Sequence, residues 1–235
     1  MSTLANVIRW FLDPLHWSGP DGIPIRLVQH IQLSAECVLI GVLIALPIGI
    51  LLGHYGRFGN LAINVSNVGR AVPSFGILVI AFQVFGLGDL PIIISLTALA
   101  IPPMVTNSYV ALREVDPDVM EAARGMGYRE FAQIIRVELP LAVPLIMAGV
   151  RTSAVQVVAT ATLAALIAGG GLGRYVIDGL DQQDYTKLFA GAVLVALLAL
   201  ATELALAAVE RVLVPPGIRL LRAPVAQRAT TFKVA

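Results

Sequence analysis

Charge is scarce in this chain: 13% of its 235 residues are Asp, Glu, Lys or Arg, against roughly 25% in ordinary soluble domains. Hydrophobic residues make up 57% of the sequence, and its mean hydropathy is +0.84. A soluble domain with so few charged side chains would leave most of its apolar surface in water. The composition therefore excludes that class and indicates a protein whose solvent is lipid, while a net charge of +1 gives no sign of a nucleic-acid partner.

Cysteine is almost absent, and the usual signatures of catalysis are absent altogether. Cys37 is the only cysteine, which excludes an internal disulfide and a metal site built from several cysteines. The three histidines, His16, His30 and His54, are too scattered along the sequence to predict a metal site. No G-x4-G-K-[ST] sequence is present, so the chain should not hydrolyse ATP itself. We therefore expect no catalytic residue, no metal site and no cofactor in this chain.

Long runs without charge predict an all-helical bundle that crosses a membrane. Residues 139–173 contain only Arg151, residues 188–209 contain only Glu203, and three further runs contain no charged residue: 37–56, 71–88 and 90–112. A membrane-spanning helix needs about 20 predominantly apolar residues. The sequence therefore predicts about five spans, at residues 32–53, 62–87, 91–112, 140–168 and 188–210. The second span could begin nearer residue 71, because its first part is polar.

The amino-terminal segment, residues 1–27, shows no cleaved signal peptide, since no basic start leads into a continuous apolar run. Apolar residues recur there at helical spacing, with Arg9 on the opposite face of the helix. Both tryptophans of the chain, Trp10 and Trp17, lie in this segment. These features predict a short helix in the membrane interface, with a disordered leader as the alternative.

The distribution of basic residues predicts the orientation of the bundle. Five spans would alternate between two sides of the membrane. One side would carry four basic residues, Arg9, Arg26, Arg174 and Lys187. The other side would carry ten, namely Arg57, Arg113, Arg124, Arg129, Arg136, Arg211, Arg219, Arg222, Arg228 and Lys233. The richer side is predicted to be cytoplasmic, which places the amino terminus outside and a carboxyl-terminal tail, residues 214–235, inside.

The predicted cytoplasmic loop at residues 113–139 is longer than a passive connection between two spans needs to be. Asp116 is a candidate N-cap, and Pro117 suits the first position of a helix. Gly125 and Gly127 then interrupt the helical pattern. A second amphipathic helix is predicted to follow and to end where the next span begins. The loop therefore reads as a short helix, a glycine turn and a second helix.

Small side chains at Ala122 and Ala123 would let the first loop helix sit deep in a groove of another protein. No long side chain would hold the two backbones apart, and a rigid helix could then pass force from a partner into the spans. An ordinary surface helix with two alanines is the alternative that the local pattern leaves open.

The loop also carries a long pattern of residues at fixed spacing. Its members are Glu121, Ala122, Ala123, Gly127, Val137, Leu139 and Pro140. They match the EAA loop of ABC-importer permeases, E-A-A-x3-G-x9-I-x-L-P, with Val137 in place of the usual isoleucine. Further segments, at residues 72–74, 106–109, 140–153 and 161–173, resemble the permeases of osmoprotectant importers. The resemblance covers about residues 25–215.

The resemblance implies a type I ABC-importer permease fold, like that of the methionine importer, over residues 28–213. It implies that Glu121, Ala122, Ala123 and Gly127 contact a separate ATPase subunit, and Leu139 and Pro140 complete the same motif. Two copies of that ATPase would hold ATP and magnesium, so this chain would be a transport subunit and no enzyme. A second permease, the same or homologous, and a periplasmic or lipid-anchored solute-binding protein would complete the importer in the bacterial inner membrane.

Polar residues inside the predicted spans are candidates for the pathway or for contacts between helices. Arg151 and Glu203 lie at similar depths, counted from the predicted cytoplasmic side, and we predict a structural salt bridge between them. Asn107 follows the Pro102-Pro103 pair, whose free carbonyls suit a helix that lines a pathway. Ser74 and Gln83 are further pathway candidates. Hydrogen bonding between helices is the alternative for all three uncharged residues.

The cargo implied by the resemblance is a compatible solute such as glycine betaine, carnitine, choline or proline. An amino acid or another small solute carried by the same kind of importer is the alternative. An ATP-independent channel or carrier and a membrane scaffold without transport are rivals from other classes.

Overall fold

The computed structural model describes residues 3–56, 64, 69, 72–215 and 217. Within that part every regular element is a helix, which confirms the all-helical prediction. A short 3₁₀ turn at Pro14–Trp17 follows the first helix. The helical segments whose bounds lie in the described residues are, in chain order, α1 (Thr3–Leu12), α2 (Ile23–Tyr55), α3 (Ser74–Phe85), α4 (Asp89–Arg113), α5 (Pro117–Gly125), α6 (Glu130–Ile167), α7 (Gly173–Asp181) and α8 (Tyr185–Leu213).

Four of these helices, α2, α4, α6 and α8, are long and apolar enough to cross a membrane. The predicted spans at 32–53, 91–112, 140–168 and 188–210 each lie within or nearly within one of them. Helix α3 is apolar but has 12 residues, and most of residues 62–71 of the predicted second span lie outside the described residues. A total of five spans therefore stays a prediction, as do the orientation and the boundaries of the terminal segments.

Helix α4 lies at the centre of the bundle and packs against α2, α3 and α6. Helix α2 approaches α4 closely, because the residues on its buried face are small: Gly41, Ala45, Gly49 and Gly53. A Cβ atom at Gly49 would lie 2.7 Å from the Cβ of Ser108 and 2.8 Å from the carbonyl oxygen of Val105. Only glycine therefore permits this approach. In a membrane, burial of apolar surface does not drive helices together, and small residues promote their association by letting the backbones pack closely.

The end of the bundle predicted to face outside is closed by a glycine turn between α6 and α7. The Oε1 atom of Gln29 accepts a hydrogen bond of 3.0 Å from the Gly171 N–H. His30 is buried beside it, and its Nδ1 accepts from the Leu172 N–H at 3.2 Å. Its Nε2 must then carry the proton, which it donates to the Val158 carbonyl at 2.8 Å. This end of α2 is thus fastened to α6 and to the turn.

Helix α1 packs on the same end of the bundle. Val7 and Trp10 are buried, and the Trp10 ring meets the Tyr175 ring edge-on with the centroids 5.5 Å apart. Leu4, Ile8 and other apolar residues on the opposite face are exposed. A helix is therefore present where it was predicted, and the alternative of a disordered leader is wrong for Thr3–Leu12. Its position in the membrane interface stays a prediction.

Tyr175 joins the amino-terminal segment to α7. Its hydroxyl donates a hydrogen bond of 2.5 Å to the Asp21 carbonyl, in the connection between α1 and α2. Burial raises the pKa of this phenol above its ordinary value. The phenol therefore stays protonated at neutral pH and keeps its role as a donor.

Candidate functional site

Helix α5 begins at the residues that the sequence indicates. The Oδ1 atom of Asp116 accepts a hydrogen bond of 2.9 Å from the Asp118 N–H. Pro117 takes the first helical position, where its missing N–H leaves no bond unmade. The N-terminus of α5 is thus capped by its own sequence, as predicted.

The C-terminus of α5 ends in a Schellman motif, which explains why glycine follows the alanines at a fixed distance. The Tyr128 N–H donates to the Ala123 carbonyl at 3.1 Å, and the Gly127 N–H donates to the Arg124 carbonyl at 2.9 Å. This pair of bonds needs a left-handed residue just past the helix. Gly127 has a φ of +82° and fills that position. The spacing from Ala123 to Gly127 is therefore set by backbone geometry.

The two alanines of the motif point to different environments. Ala123 is 1% exposed, whereas Ala122 and Glu121 are exposed on the other side of α5. Burial assigns Ala123 to the packing of this chain. Exposure leaves Ala122 and Glu121 available to a partner.

A buried glutamine, which helical spacing places on the polar face of the second loop helix, joins α5 to α6. Gln133 is 3% exposed, and its Nε2 donates a hydrogen bond of 2.7 Å to the Tyr128 carbonyl. Tyr128 is the last residue of the Schellman motif, so the bond holds the glycine turn against the first turn of α6. A helical wheel could not find this contact, because it depends on how the chain reverses at Gly127.

The second loop helix does not end at Leu139 and Pro140 as predicted, since α6 runs without interruption from Glu130 to Ile167. A π turn at Ile134–Glu138 precedes the motif's final residues, and the Leu139 N–H donates to the Ile134 carbonyl. Pro140 then lies in the first turn of the following α-helical part. Proline usually marks a helix boundary, but a wider π turn accommodates the change in hydrogen bonding here.

A buried His–Glu pair, absent from the sequence-based predictions, lies beside the π turn. His54 in the last turn of α2 and Glu138 at the end of the π turn are 6% and 5% exposed at their side chains. The His54 Nδ1 donates to the Glu138 carboxylate, at 2.8 Å from Oε2 and 2.9 Å from Oε1. No local pattern signals such a pair, because its members are far apart in the sequence.

The predicted salt bridge between the fourth and fifth predicted spans is present. Arg151 of α6 hydrogen-bonds to Glu203 of α8. Its other terminal nitrogen donates to Glu210 at 2.7 Å, a partner that was not predicted from the sequence. The Arg151 side chain is 28% exposed. One guanidinium thus bridges two carboxylates of α8, seven residues apart, and ties that helix to α6, a role that suits the several donors of arginine.

Replacing Arg151 with leucine is expected to lower the stability of the permease more than replacing Glu203 with glutamine. The first change leaves two partly buried carboxylates side by side, whereas the second leaves Arg151 paired with Glu210. The free energy of unfolding should fall by less than the value of about 3–5 kcal/mol that is lost when a fully buried ion pair is broken. Thermal unfolding of the purified permease in one detergent measures the difference.

Charge reversal provides the control for this pair. The double variant Arg151→Glu with Glu203→Arg should unfold at a higher temperature than either single reversal. A double variant no more stable than the singles would contradict a stabilising contact between α6 and α8.

The uncharged polar candidates occupy different surroundings. Asn107 donates a hydrogen bond of 2.8 Å to the Pro103 carbonyl in its own helix, α4, and not to a neighbouring helix of the described chain, while its place in a pathway stays a prediction. Ser108 is fully buried, and its hydroxyl has no hydrogen-bond partner among the described residues. Ser74, at the start of α3, lines a small crevice against α4 and α6, whereas Gln83 near the end of α3 is exposed. The structure therefore does not bring these residues together into one site.

Comparison with known proteins identifies the family of this chain. The model of the family "Binding-protein-dependent transport system inner membrane component" matches residues 45–214. The carnitine transport permease protein OpuCB of Listeria monocytogenes is 40% identical over 83% of this chain and 89% of its own length. The choline transport system permease protein OpuBB of Bacillus subtilis is 37% identical over 84% of this chain and 91% of its own. The osmoprotectant import permease protein OsmW of Salmonella typhimurium is 32% identical over 81% of this chain and 91% of its own length.

Solved structures of the MetNI methionine ABC transporter in inward-facing conformations share the fold. Two of them align with TM-scores of 0.71 and 0.72, at 22% and 21% identity, over 86% of this chain and 99% of the matched chain. The predicted methionine-importer-like fold is thereby confirmed. The chain belongs to the family of binding-protein-dependent transport system inner membrane components, and is a permease subunit of an ABC importer of the inner membrane.

Proposed function

We propose that this permease imports compatible solutes of the glycine betaine, carnitine and choline class, driven by ATP hydrolysis in a partner subunit. Relatives that carry the names of carnitine, choline and osmoprotectant permeases cover more than four fifths of this chain. The observation that carries the coupling to ATP is the geometry of α5. This helix is capped at both ends by its own sequence and exposes Glu121 and Ala122.

The docking role of α5 follows from its stiffness and its small exposed surface. The caps at Asp116 and Gly127 fix the helix ends, so a force applied to α5 moves it as one body. Ala122 lets the backbone of a partner approach, and Glu121 offers a charge at its edge. We assign this face to the groove of an ATPase subunit, two copies of which would hold ATP and magnesium. Leu139 and Pro140 act within the chain, directly after the π turn of the long helix α6.

The translocation pathway is assigned to the junction of two permease subunits, identical or homologous. Helix α3 supports this assignment, because it packs on α4 along one side and exposes apolar residues such as Phe75, Ile80 and Val84 on the others. Ser74, Gln83 and Asn107 are the candidates for contacts with a passing solute. The Arg151–Glu203–Glu210 cluster is assigned a structural role, because both terminal nitrogens of Arg151 are bonded to carboxylates of α8.

Reconstitution tests the function directly. The permease is reconstituted in liposomes with its ATPase and its solute-binding protein, and uptake of labelled choline, carnitine, glycine betaine and proline is measured. We expect uptake of at least one quaternary ammonium compound that requires ATP. Mutation of the Walker lysine of the ATPase should abolish it.

Three outcomes would overturn parts of this proposal. Uptake that persists with the Walker variant would favour a channel or an ATP-independent carrier, and a lack of any flux would favour a scaffold. Transport of another amino acid but of none of the four solutes would keep the importer and reject the cargo.

A further inference from the structure

The buried pair formed by His54 and Glu138 lies where the loop that carries α5 joins the long helix α6. Both carboxylate oxygens of Glu138 lie within hydrogen-bond distance of the same nitrogen of His54. No other side chain or backbone group of the described residues makes a hydrogen bond or an ion pair with the Glu138 carboxylate. The environment on the His54 side includes the Tyr55 ring, 5.0 Å from the imidazole centroid, and the Arg113 guanidinium lies near Gly56. Loss of either partner would therefore leave a buried polar group unpaired.

Glu138 lies at the point of α6 where the helix is most easily bent. It is the last residue of the π turn, and the regular α-helical part begins at Leu139. A π turn departs from regular α-helical hydrogen bonding, and such turns recur at functional sites. Motion that arrives from α5 through the Tyr128–Gln133 bond would therefore bend α6 at this point unless a second contact held it.

The pair supplies that second contact, and it is independent of the EAA pattern. Glu138 occupies the unspecified position between Val137 and Leu139, and His54 lies outside the loop altogether. The contact fastens the π turn to the end of α2, which packs along α4 with its stripe of small residues. A displacement at the π turn therefore reaches α2 and α6 together.

We propose that His54 and Glu138 are positioning residues for ATP coupling: their contact makes α2 and α6 respond as one unit to movement of α5. The proposal rests on the proposed function, because it needs an ATPase that moves α5. It adds a residue pair that determines how much solute is moved for each ATP hydrolysed. Continuity in space does not by itself demonstrate coupling, so the test has to measure the interaction between the two sites.

The experiment measures the ratio of solute uptake to ATP hydrolysis in liposomes that contain the full complex. We expect His54→Ala and Glu138→Ala each to lower this ratio by about 2- to 30-fold, the range found for residues that modulate coupling. Glu138→Gln keeps an acceptor for the His54 N–H and should stay within about twofold of the unchanged protein, since the conservative side chain preserves the contact. The exchange His54→Glu with Glu138→His should recover most of the loss.

A matched control separates coupling from mere folding. Glu114→Ala removes an exposed carboxylate at the end of α4, on the same side of the bundle, and should leave the ratio unchanged. A purely structural role would lower the amount of assembled complex, seen by size-exclusion chromatography, without changing the ratio per assembled complex. Should the alanine variants fail to assemble, Glu138→Asp moves the carboxylate away by one methylene and should still lower the ratio.

Each contrary outcome overturns the proposal. A normal ratio in the alanine variants, or in Glu138→Asp when those do not assemble, removes the role in coupling. An exchange variant no better than the single variants removes the pairwise contact as its cause. If the unchanged complex neither docks its ATPase nor transports, both the proposed function and this inference fail. If the unchanged complex transports and only the variants give a contrary result, this inference alone fails.

Discussion

Replacing Gly127 with valine is expected to abolish ATP-driven uptake while leaving the spans inserted in the membrane. The φ of +82° at this position is one that a β-branched residue rarely adopts. A left-handed conformation costs an L-residue about 1–2 kcal/mol, which lowers the population of the turn by about 5- to 30-fold. Without the turn, the carbonyls of Ala123 and Arg124 lose their partners and α5 loses its direction. Uptake and solute-stimulated ATP hydrolysis in liposomes measure the effect.

The chain offers two controls for this prediction. A Cβ atom at Gly127 would meet no heavy atom of the described residues within 4 Å beyond its immediate neighbours, so backbone conformation alone carries the effect. Gly127→Asn should therefore retain much of the uptake, because asparagine tolerates this conformation. Gly125→Ala, two residues earlier inside α5 and equally uncrowded, should leave uptake unchanged. Normal uptake in Gly127→Val would remove the turn from the coupling route.

A phenylalanine at Ala122 is expected to prevent docking of the ATPase without destabilising the permease. The Ala122 side chain is exposed, so the larger ring meets no crowding within its own chain. A ring on that face holds the partner's backbone away, and we expect the ATPase to be lost from the purified complex. Pull-down of the ATPase, together with the thermal unfolding midpoint of the permease, checks both halves of the prediction.

A phenylalanine at the neighbouring Ala123 is expected to destabilise the permease itself. Ala123 is buried, and overpacking at such a site typically costs about 1–3 kcal/mol. Ala123→Phe should therefore lower the unfolding midpoint, whereas Ala196→Phe on the exposed surface of α8 should change neither docking nor stability. Retention of the ATPase at full affinity by Ala122→Phe would contradict the assignment of this face.

Local chemistry made much of the site predictable from the sequence. The cap at Asp116, the proline after it and the glycine after the alanines each act within a few residues, so their pattern indicates the ends of α5 directly. The salt bridge of Arg151 was predictable because a membrane restricts where charges can lie, and two depths could be compared. The same constraint identified four helices as long enough to span the membrane.

The remaining features depend on contacts between distant parts of the chain. Pro140 looked like a boundary, and only the π turn before it explains why α6 continues. Gln133 looked like a surface residue, yet the reversal at Gly127 buries it. His54 and Glu138 read as an isolated histidine and one more loop carboxylate, since nothing near either residue in the sequence indicates the other.

Helix α2 is held at two points, by Gln29 and His30 at one end and by His54 at the other. About 36 Å of helix lies between the two histidines at 1.5 Å per residue. Inserting a single residue between them would turn one attachment by about 100° relative to the other and detach it. The number of residues in this stretch is therefore constrained together with the small residues of its buried face, so homologous permeases that keep both attachments should vary in length only before or after it.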